Sequence, residues 1–393
     1  MRILDVSPRI CNPPHRGGHV RTYNLLRQLA LHHEVRQFSQ TKYRDVRHHE
    51  PLECGYDEYH FRSWIADCLG EISEAAWPAA PLLSGLALQV TRPRVIDELI
   101  CWSELILVEF PWQFSYIYKH AAGKRIVYCS HNVEKLKFLS YQTARGMKSP
   151  NGWLRYIDRL ERLAVMGADL VIAVSDADRD AFVNIYGIEK AKIAVVENGS
   201  DTERCAPVPV KERAVYRNAL GLPEQPIVIY VAGSTAPPQV AGFEWVKELA
   251  ATMPEFLFVV VGAVSAKSHS RPNLLCTGYI PDPGPFLRAA DYALCPIQFG
   301  GGTKMKLFEY MAFGLPTLVF EEALYGTQIK ANEEVLVVPK SASRMVTALR
   351  DLSRDVDACA SMSKLARRRV VEHHGWDRLG RNLESAISGV GCG

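Results

Sequence analysis

The sequence lacks any regular cysteine pattern. Its ten cysteines are scattered along 393 residues, with no Cys-x-x-Cys spacing and no cluster of cysteine with histidine. A disulfide framework or a zinc site would need such spacing, so we expect free thiols in a reducing compartment. The pattern therefore predicts a cytoplasmic protein without a metal site.

Long apolar runs are also missing. The nearest candidate, residues 75–90, contains Pro78 and Pro81, and it is shorter than the roughly 20 apolar residues that span a membrane. The chain opens with a predicted strand, residues 2–6, which leaves no room for a signal peptide. We expect at most a peripheral contact with the inner face of the cell membrane.

An excess of charge of one sign and a dinucleotide fingerprint are absent too. The formal net charge is only +3, so the composition does not favour a nucleic-acid partner. No Gly-x-Gly-x-x-Gly pattern occurs, which disfavours a nicotinamide enzyme. No feature of the sequence predicts an oligomeric state.

What the sequence does contain is an alternation of short apolar runs with helix-like segments. The 393 residues, 48% of them hydrophobic, are enough for two domains with separate cores. The alternation is typical of an α/β fold, in which helices cover both faces of a parallel sheet. Helices are predicted at residues 18–31 and 152–166. Strands are predicted at residues 3–6, 35–39, 105–108, 126–129, 170–174, 193–196, 227–231, 256–261, 274–277, 292–297, 317–320 and 335–338.

A polar, proline-rich stretch at residues 201–213 interrupts the alternation, which then restarts. We interpret this stretch as a linker between two doubly wound, Rossmann-like domains that face each other across a cleft. The predicted domains are residues 1–203 and 204–374, and a C-terminal helix at residues 375–393 packs back on the first domain. Ligands of such sheets bind beyond the carboxyl ends of the strands, so the cleft is the predicted site.

The most informative segment is the glycine-rich run at residues 299–316, which reads FGGGTKMKLFEYMAFGLP. Gly301 and Gly302 follow a predicted strand, and a helix opens behind them with free N–H groups and a partial positive charge. Lys304 and Lys306 add full charges, as a diphosphate site requires. Glu309 is placed to accept hydrogen bonds from a ribose. The run therefore predicts a nucleotide-sugar pocket.

Loops in the first half give weaker signals, each with a plainer alternative. Gly17 and Gly18 bring backbone N–H groups to a phosphate, or they make a simple strand-to-helix turn. His131 hydrogen-bonds a sugar hydroxyl or stabilises developing charge, or it is a loop histidine bonded to nearby backbone. Asn198 before Gly199 is by default a turn at a domain edge.

Two loops of the second half complete the candidates. Gly233 and Ser234 end a predicted strand and offer a second phosphate contact, or they form a plain loop before two prolines. Tyr279 and Ile280 follow another strand and present backbone to a nucleobase. Both pairs lie at predicted carboxyl ends, where ligands of parallel sheets bind.

Two other segments are expected to be structural. Trp64, Trp77, Leu82 and Leu83 are interpreted as core, in preference to an apolar lip that meets a lipid-linked substrate. The basic run at residues 367–369 is interpreted as the solvated face of a helix.

In their order along the chain, these motifs resemble the family-four glycosyltransferases of the GT-B fold. The resemblance spans the whole chain and rests on residues 299–316, 131–132, 198–201, 14–18 and 374–377. Enzymes of that family transfer a sugar from a nucleotide diphosphate donor with retention of anomeric configuration. The resemblance implies an N-terminal acceptor domain and a C-terminal donor domain.

The resemblance also implies a role for each matched position. Gly17 and Gly18 would approach the donor phosphate, His131 would lie near the donor sugar, and Glu309 would bind the ribose. Lys304 or Lys306 would neutralise the leaving nucleoside diphosphate. The other matched positions would hold the diphosphate, the sugar or the base, and they are Asn198, Gly233, Ser234, Tyr279, Ile280, Gly301, Gly302, Thr303 and Met305.

Two departures from the family pattern concern the donor site. Many members carry two glutamates eight positions apart, and here the first of these positions is Gly301. The basic pair that often follows the first strand of the second domain is also missing, since the chain reads TAPPQ at residues 235–239. The positive charge would then come from the lysines near residue 305.

The resemblance implies a retaining transfer from a UDP- or GDP-sugar to a hydroxyl of a glycan, glycolipid or small-molecule acceptor. No cofactor beyond the donor would be required. Two alternatives remain open: a nucleotide-sugar epimerase or hydrolase of the same fold, and a nucleotide-sugar binder without catalytic activity, for which Gly301 leaves room.

Overall fold

The structure is a computed structural model that describes residues 1–14, 17–41, 53–76, 80–121, 123–146 and 151–389. The chain divides into two compact units. The first unit comprises Met1–Glu197 and Asp377–Gly393, and the second comprises Asn198–Trp376.

The first unit is built on a seven-stranded parallel sheet with the strand order β3-β2-β1-β4-β5-β6-β7. Its central strands are buried on both faces, which explains why they read as continuous apolar runs in the sequence. The strands are β1 (Arg2–Ser7), β2 (Glu34–Thr41), β3 (Asp57–Arg62), β4 (Leu105–Glu109), β5 (Arg125–Cys129), β6 (Leu170–Ala173) and β7 (Ile193–Val195). The helices are α1 (Gly17–Leu29), α2 (Trp64–Ala76), α3 (Ser84–Thr91), α4 (Arg94–Trp102), α5 (Phe114–His120), α6 (Glu134–Arg145), α7 (Asn151–Gly167) and α8 (Asp176–Tyr186).

The second unit is built on a six-stranded parallel sheet with the strand order β10-β9-β8-β11-β12-β13. Two clusters of buried side chains pack against this sheet. The strands are β8 (Ile227–Val231), β9 (Leu257–Val261), β10 (Leu274–Gly278), β11 (Tyr292–Cys295), β12 (Thr317–Val319) and β13 (Leu336–Val337). The helices are α9 (Val210–Ala219), α10 (Pro237–Thr252), α11 (Gly284–Ala289), α12 (Met305–Ala312), α13 (Ala342–Arg354) and α14 (Val356–His373).

The last helix, α15 (Trp376–Ser388), belongs to the first unit from Asp377 onward. Glu384 on this helix pairs with His32 at 3.1 Å and with His33 at 3.2 Å. A Cβ atom on Gly380 would lie 2.3 Å from the Cβ of Gln28 on α1. The absence of a side chain at Gly380 therefore lets α15 pack closely on α1.

The prediction of two doubly wound α/β sheets is confirmed, and all twelve predicted strands occur. Strand β3 was not predicted, because this edge strand reads DEYHFR and is only partly buried. The predicted linker is too long, since helix α9 begins at Val210 directly after Pro209. Proline is compatible with the start of a helix, so the proline-rich composition did not mark the end of the loop.

Two expectations about structural segments are wrong in part. Trp64 is 70% exposed and is not a core residue, whereas Leu82 is fully buried. Leu83 is partly buried, and Trp77 lies outside the described residues. Of these residues, Leu82 therefore belongs to the core, whereas Trp64 lies at the surface.

The basic run at residues 367–369 is not simply a solvated face. Arg367 donates hydrogen bonds to the carbonyl oxygens of Thr202, Cys205 and Ala312 at 2.6–2.7 Å. Arg369 pairs with the buried Glu334. Arg367 therefore holds α14 against the segment that follows Asn198 and against α12, and Arg369 holds it against the loop before β13.

The described ranges show neither a membrane-spanning helix nor a group of metal-binding side chains. No helix in the described part of the chain combines the length and the apolar composition needed to cross a bilayer. Within the same ranges, no three or more His, Cys, Asp or Glu side chains are grouped to hold a metal ion.

Candidate functional site

Most of the predicted donor-binding positions lie at one edge of the second sheet. Strands β8, β10 and β11 are parallel members of this sheet, so their carboxyl ends share that edge. Gly233 and Ser234 follow β8, Tyr279 and Ile280 follow β10, and the glycine-rich loop at residues 299–304 follows β11. The structure thus brings together candidates that are separated by about seventy residues in the sequence.

The glycine-rich loop adopts a backbone conformation that requires glycine. Gly300 has a φ of 123° and Gly302 has a φ of 60°, and side chains rarely tolerate the first of these values. Helix α12 begins directly after the loop, with Lys304 at its N-cap position, and the Lys304 side chain makes no capping hydrogen bond to the N–H groups of the helix. The N–H groups of the first helical turn are therefore not capped by Lys304, which favours anion binding at this helix start.

A hydrogen bond from Asn198 holds the glycine-rich loop in place. The Asn198 amide donates a 2.7 Å hydrogen bond to the hydroxyl of Thr303, and both residues are buried. His374 contacts the Asn198 carbonyl oxygen through Nδ1 at 3.0 Å and stacks on Phe308 at 4.3 Å between ring centroids. Asn198 therefore fixes Thr303 and, through it, the position of the loop.

The two lysines of the run occupy different places. The ammonium group of Lys304 donates to the carbonyl oxygens of Gly301 and Gly302 at 3.1 and 2.6 Å. The ammonium group of Lys306 donates to Oε1 of Gln239 and lies 4.4 Å from the ring centroid of Tyr230. Removal of this group from water lowers the pKa of Lys306 to about 8, against a partial opposing effect of Glu309.

The contact between Lys306 and Gln239 brings a positive charge to the start of α10, where the preceding loop supplies none. Gln239 lies in the first turn of α10, which follows β8 without any basic residue in the connecting loop. Lys306 on α12 carries its ammonium group to this point, and the hydroxyl of Tyr230 donates to the Gln239 side chain from the other side at 3.1 Å. The basic group at the start of α10 therefore comes from a different helix.

Glu309 lies one helical turn beyond Lys306. Burial raises the pKa of the Glu309 carboxyl to about 7, as does Asp282, while Arg204 and Lys306 oppose the rise. Arg204 itself pairs with Asp282 at 2.9 Å. The carboxylate is thus half-buried at the same edge as the glycine-rich loop, where it can accept hydrogen bonds from hydroxyl groups.

The remaining candidates, Gly17, Gly18 and His131, lie in the first unit. Gly17 begins α1, and a Cβ atom on Gly18 would lie 3.2 Å from Nδ1 of His131. His131 is only 8% exposed and follows β5 by two residues. The structure therefore brings the first turn of α1 and the His131 ring together at the carboxyl edge of the first sheet.

His131 has two close neighbours that the sequence analysis did not single out. Glu109, the last residue of β4, contacts Nε2 of His131. The ring of Phe110 stacks on the His131 ring, with centroids 4.0 Å apart and an interplanar angle of 8°. Glu109 could have been identified from the sequence because it is a carboxylate at the end of an apolar strand. A carboxylate in such a buried position needs a polar partner.

Arg21 completes this cluster from α1. It is buried and donates to the carbonyl oxygens of Val196 and Glu197 at 2.7 Å. Burial lowers the pKa of His131 to about 3, and the Arg21 guanidinium acts in the same direction. The imidazole is therefore neutral near pH 7, with one nitrogen as a donor and the other as an acceptor.

Comparisons with known proteins agree with this arrangement. Residues 15–204 match the family described as Glycosyltransferase Family 4, and residues 225–355 match the family described as Glycosyl transferases group 1. The two matches correspond to the two sheets and together cover most of the chain.

Curated relatives include several D-inositol 3-phosphate glycosyltransferases. The protein from Kineococcus radiotolerans is 31% identical over 121 residues, which are 29% of this chain and 27% of the relative. The protein from Salinispora arenicola is 26% identical over 294 residues, which are 68% of this chain and 64% of the relative. The chain thus matches less than two thirds of the length of these relatives.

Solved structures with the same fold cover nearly the whole chain. Sucrose-phosphate synthase from Thermosynechococcus elongatus has a TM-score of 0.76 at 16% identity, covering 99% of this chain and 98% of that one. HepE of Anabaena in complex with UDP has a TM-score of 0.68 at 15% identity, covering 99% of this chain and 100% of that one. At these identities the comparison shows the GT-B fold.

Proposed function

This chain belongs to the family-four glycosyltransferases of the GT-B type, and we propose that it transfers a sugar from a nucleotide diphosphate donor to an acceptor hydroxyl. The observation that supports this most is the loop before α12. There, Gly300 and Gly302 allow a close backbone approach, the helix start is not capped by Lys304, and Lys306 supplies a cation. These are the features that bind a diphosphate.

The difficult step is departure of the nucleoside diphosphate from the anomeric carbon. The bond between that carbon and the β-phosphate oxygen breaks, and negative charge develops on the oxygen. Preorganised N–H groups and a lysine stabilise this charge, and loss of one such donor typically costs about 3–4 kcal/mol of barrier. We assign the N–H role to Gly301, Gly302, Thr303 and Met305, and the cationic role to Lys306, assisted by Lys304.

The rest of the donor is assigned to neighbouring residues at the same edge of the second sheet. Glu309 binds the ribose hydroxyls, and the backbone of Tyr279 and Ile280 flanks the base. Gly233 and Ser234 provide a second phosphate contact. Asn198 acts through Thr303, whose hydroxyl it holds.

In this proposal the first unit supplies Gly17, Gly18 and His131 to the donor phosphate and sugar. The acceptor hydroxyl attacks the face from which the diphosphate leaves, and the β-phosphate oxygen takes its proton, so that configuration is retained. The donor is a UDP- or GDP-sugar, the acceptor is a glycan, glycolipid or small molecule, and no other cofactor takes part. The proposed location is the cytoplasm, with peripheral contact to the inner face of the membrane where the acceptor is a lipid.

The relatives motivate the choice of the first substrates to test. The Anabaena structure contains UDP, and the curated relatives are named for an inositol phosphate acceptor. UDP-sugars with and without inositol 3-phosphate are therefore the first combination to assay, followed by GDP-sugars.

A thermal-shift panel of nucleoside diphosphates and their sugars tests the proposal. A ligand at 100 times its dissociation constant stabilises the folded state by about 2.7 kcal/mol. We expect a rise in melting temperature with UDP or GDP, and then transfer of the sugar to an acceptor. Conversion of the donor without any acceptor would identify an epimerase or hydrolase, and binding without turnover would identify a non-catalytic binder. No binding of any nucleotide would contradict the proposal.

A further inference from the structure

We propose that Glu109 is a positioning residue that fixes the ring tautomer of His131, so that Nδ1 is the hydrogen-bond acceptor available to a ligand. In the proposed function, on which this part of the inference rests, the ligand group is a hydroxyl of the donor sugar. Nothing in the sequence motifs of the donor site involves Glu109, and the inference comes from the geometry of the first unit.

The sheet topology places the two side chains side by side. Strands β4 and β5 are parallel neighbours, with Glu109 paired to Cys129 in the register. His131 follows Cys129 by two residues, at the point where the chain leaves the sheet. The exposed fractions are 5% for Glu109 and 8% for His131, so their contact through Nε2 is shielded from water.

Phe110 fixes the orientation of the imidazole ring, in addition to the Glu109 contact at Nε2. Phe110 stacks on the ring at 4.0 Å, and its own backbone has a φ of 67°, an uncommon value for a phenylalanine. The Phe110 N–H donates to the Cys129 carbonyl oxygen at 3.2 Å. A flip of the ring about its Cβ–Cγ bond, which would put carbon atoms where the two nitrogens lie, would therefore displace Phe110.

The other nitrogen faces the first turn of α1. A Cβ atom on Gly18 would lie only 3.2 Å from Nδ1, so the glycine leaves this nitrogen room that a larger residue would fill. The first turn of α1 is also where the proposed phosphate contact of Gly17 and Gly18 lies. Nδ1 thus faces Gly18, and Nε2 faces Glu109; in the proposed function the donor sugar approaches from the side of Gly18.

The position of the ring proton follows from the chemistry of the partners. An ionised carboxylate only accepts hydrogen bonds, so Nε2 must carry the proton in this contact. Because the imidazole is neutral near pH 7, Nδ1 then has a free lone pair and accepts a hydrogen bond from a hydroxyl. Burial raises the pKa of Glu109 to about 7, while Arg21 lowers it, so the carboxylate predominates at about pH 8, where we would make the measurement.

A purely structural role for Glu109 makes a different prediction. Glu109 also lies near the buried charge of Arg21 and forms a hydrogen bond with Asp5, whose pKa burial raises well above its usual value. A carboxylate that only balanced Arg21 would leave the tautomer of His131 unaffected. Removing it would then reduce the stability of the unit and weaken every ligand equally. The two roles are separated by a direct measurement of the tautomer and by the selectivity of the binding loss.

The first arm of the test reads the tautomer by NMR of the full chain with 15N-labelled histidine, without ligand, at about pH 8. We expect His131 in the Nε2–H form in the unaltered protein and in Glu109→Gln, whose amide oxygen still accepts from Nε2–H. In Glu109→Ala we expect a mixture of tautomers. Glu334→Gln, a change at a buried carboxylate of the second unit, controls for general loss of stability. An Nδ1–H ring in the unaltered protein, or an unchanged ring in Glu109→Ala, would overturn the proposal.

The second arm compares UDP-glucose with UDP by calorimetry. We expect Glu109→Ala to weaken UDP-glucose binding about 2- to 13-fold, the factor expected for one hydrogen bond, and to leave UDP binding unchanged. Glu109→Gln should bind both ligands as the unaltered protein does. An equal loss for UDP and UDP-glucose would contradict the positioning role. Where another nucleotide sugar of the thermal-shift panel binds, it and its nucleoside diphosphate replace UDP-glucose and UDP. If the unaltered protein binds no nucleotide of the panel, the proposed function fails, and the NMR comparison alone decides the role of Glu109.

Discussion

At the residue scale, Lys306 distinguishes this donor site from a simple glycine-rich turn. Its ammonium group contacts Gln239 and the face of Tyr230, and both contacts orient the charge toward the start of α10. Removing a cation from water is costly, and this cost lowers the pKa of Lys306 although Glu309 acts in the opposite direction. Such a cost is typical of groups whose charge is needed by a ligand.

We predict that Lys306→Ala reduces turnover about 100- to 1000-fold, because one preorganised cation is lost from the departing diphosphate. The measurement is the rate of sugar transfer with the donor that the thermal-shift panel identifies. Lys247→Ala is the matched control, since Lys247 on α10 pairs with Glu244 and lies over the ring of Phe243, both on the same helix. Full turnover in both Lys304→Ala and Lys306→Ala would remove the lysines from the mechanism.

The titration of two residues predicts a bell-shaped pH dependence of donor affinity. Below about pH 7 Glu309 takes up a proton and no longer accepts hydrogen bonds as a carboxylate, so affinity falls. Above about pH 8 Lys306 loses its proton, so affinity falls again. Calorimetric titrations of the donor between about pH 6 and pH 9 measure both limbs.

Two variants test which residue causes each limb of the pH profile. With the nucleoside diphosphate as ligand, which lacks the sugar assigned to His131 and Glu109, Glu309→Gln should lose the acidic limb, and Lys306→Arg should lose the alkaline limb because a guanidinium stays protonated throughout. A profile that is flat for the unaltered protein would show that neither group titrates in the free site.

At the element scale, the candidate residues lie in short loops at strand ends, and contacts from other elements hold these loops in place. The clearest example is the anchoring of residues 299–304 by Asn198 and His374, which follow β7 and α14. The last helix offers a second example, since α15 depends on Gly380 for its approach to α1.

We predict that Gly380→Ala lowers the free energy of unfolding by about 1–3 kcal/mol, because the added methyl group overlaps Gln28. Gly389→Ala, where an added Cβ would make only ordinary contacts at 3.7 Å, should change it little. Denaturant unfolding of both variants makes the comparison. Equal stability of the two variants would mean that α15 does not pack on α1 in this way.

The elements differ in how far the sequence predicts them. Buried parallel strands such as β9 are continuous apolar runs and were predicted, whereas the edge strand β3 has polar side chains on a partly exposed surface and was not. The glycine-rich loop was predicted because its glycines and lysines are consecutive. The contacts Lys306–Gln239 and Glu109–His131 join residues 67 and 22 positions apart, and only the packed fold reveals them.

At the scale of the whole molecule, two parallel sheets give two sets of carboxyl edges, and each set carries one cluster of candidate residues. The second sheet presents the glycine-rich loop, Lys306 and Glu309, and the first presents Gly18, His131 and Glu109. The family matches follow the same division, with one family for each sheet. We assign donor binding chiefly to the second unit because the glycine-rich loop, Lys306 and Glu309 lie there.

A crystal structure of the protein with the nucleoside diphosphate that raises its melting temperature most would test the central claim most directly. We predict that the β-phosphate oxygens lie about 3 Å, a hydrogen-bond distance, from backbone N–H groups among Gly301, Gly302, Thr303 and Met305, with the Lys306 ammonium group beside them. A diphosphate bound elsewhere, with the loop between β11 and α12 unoccupied, would contradict the account.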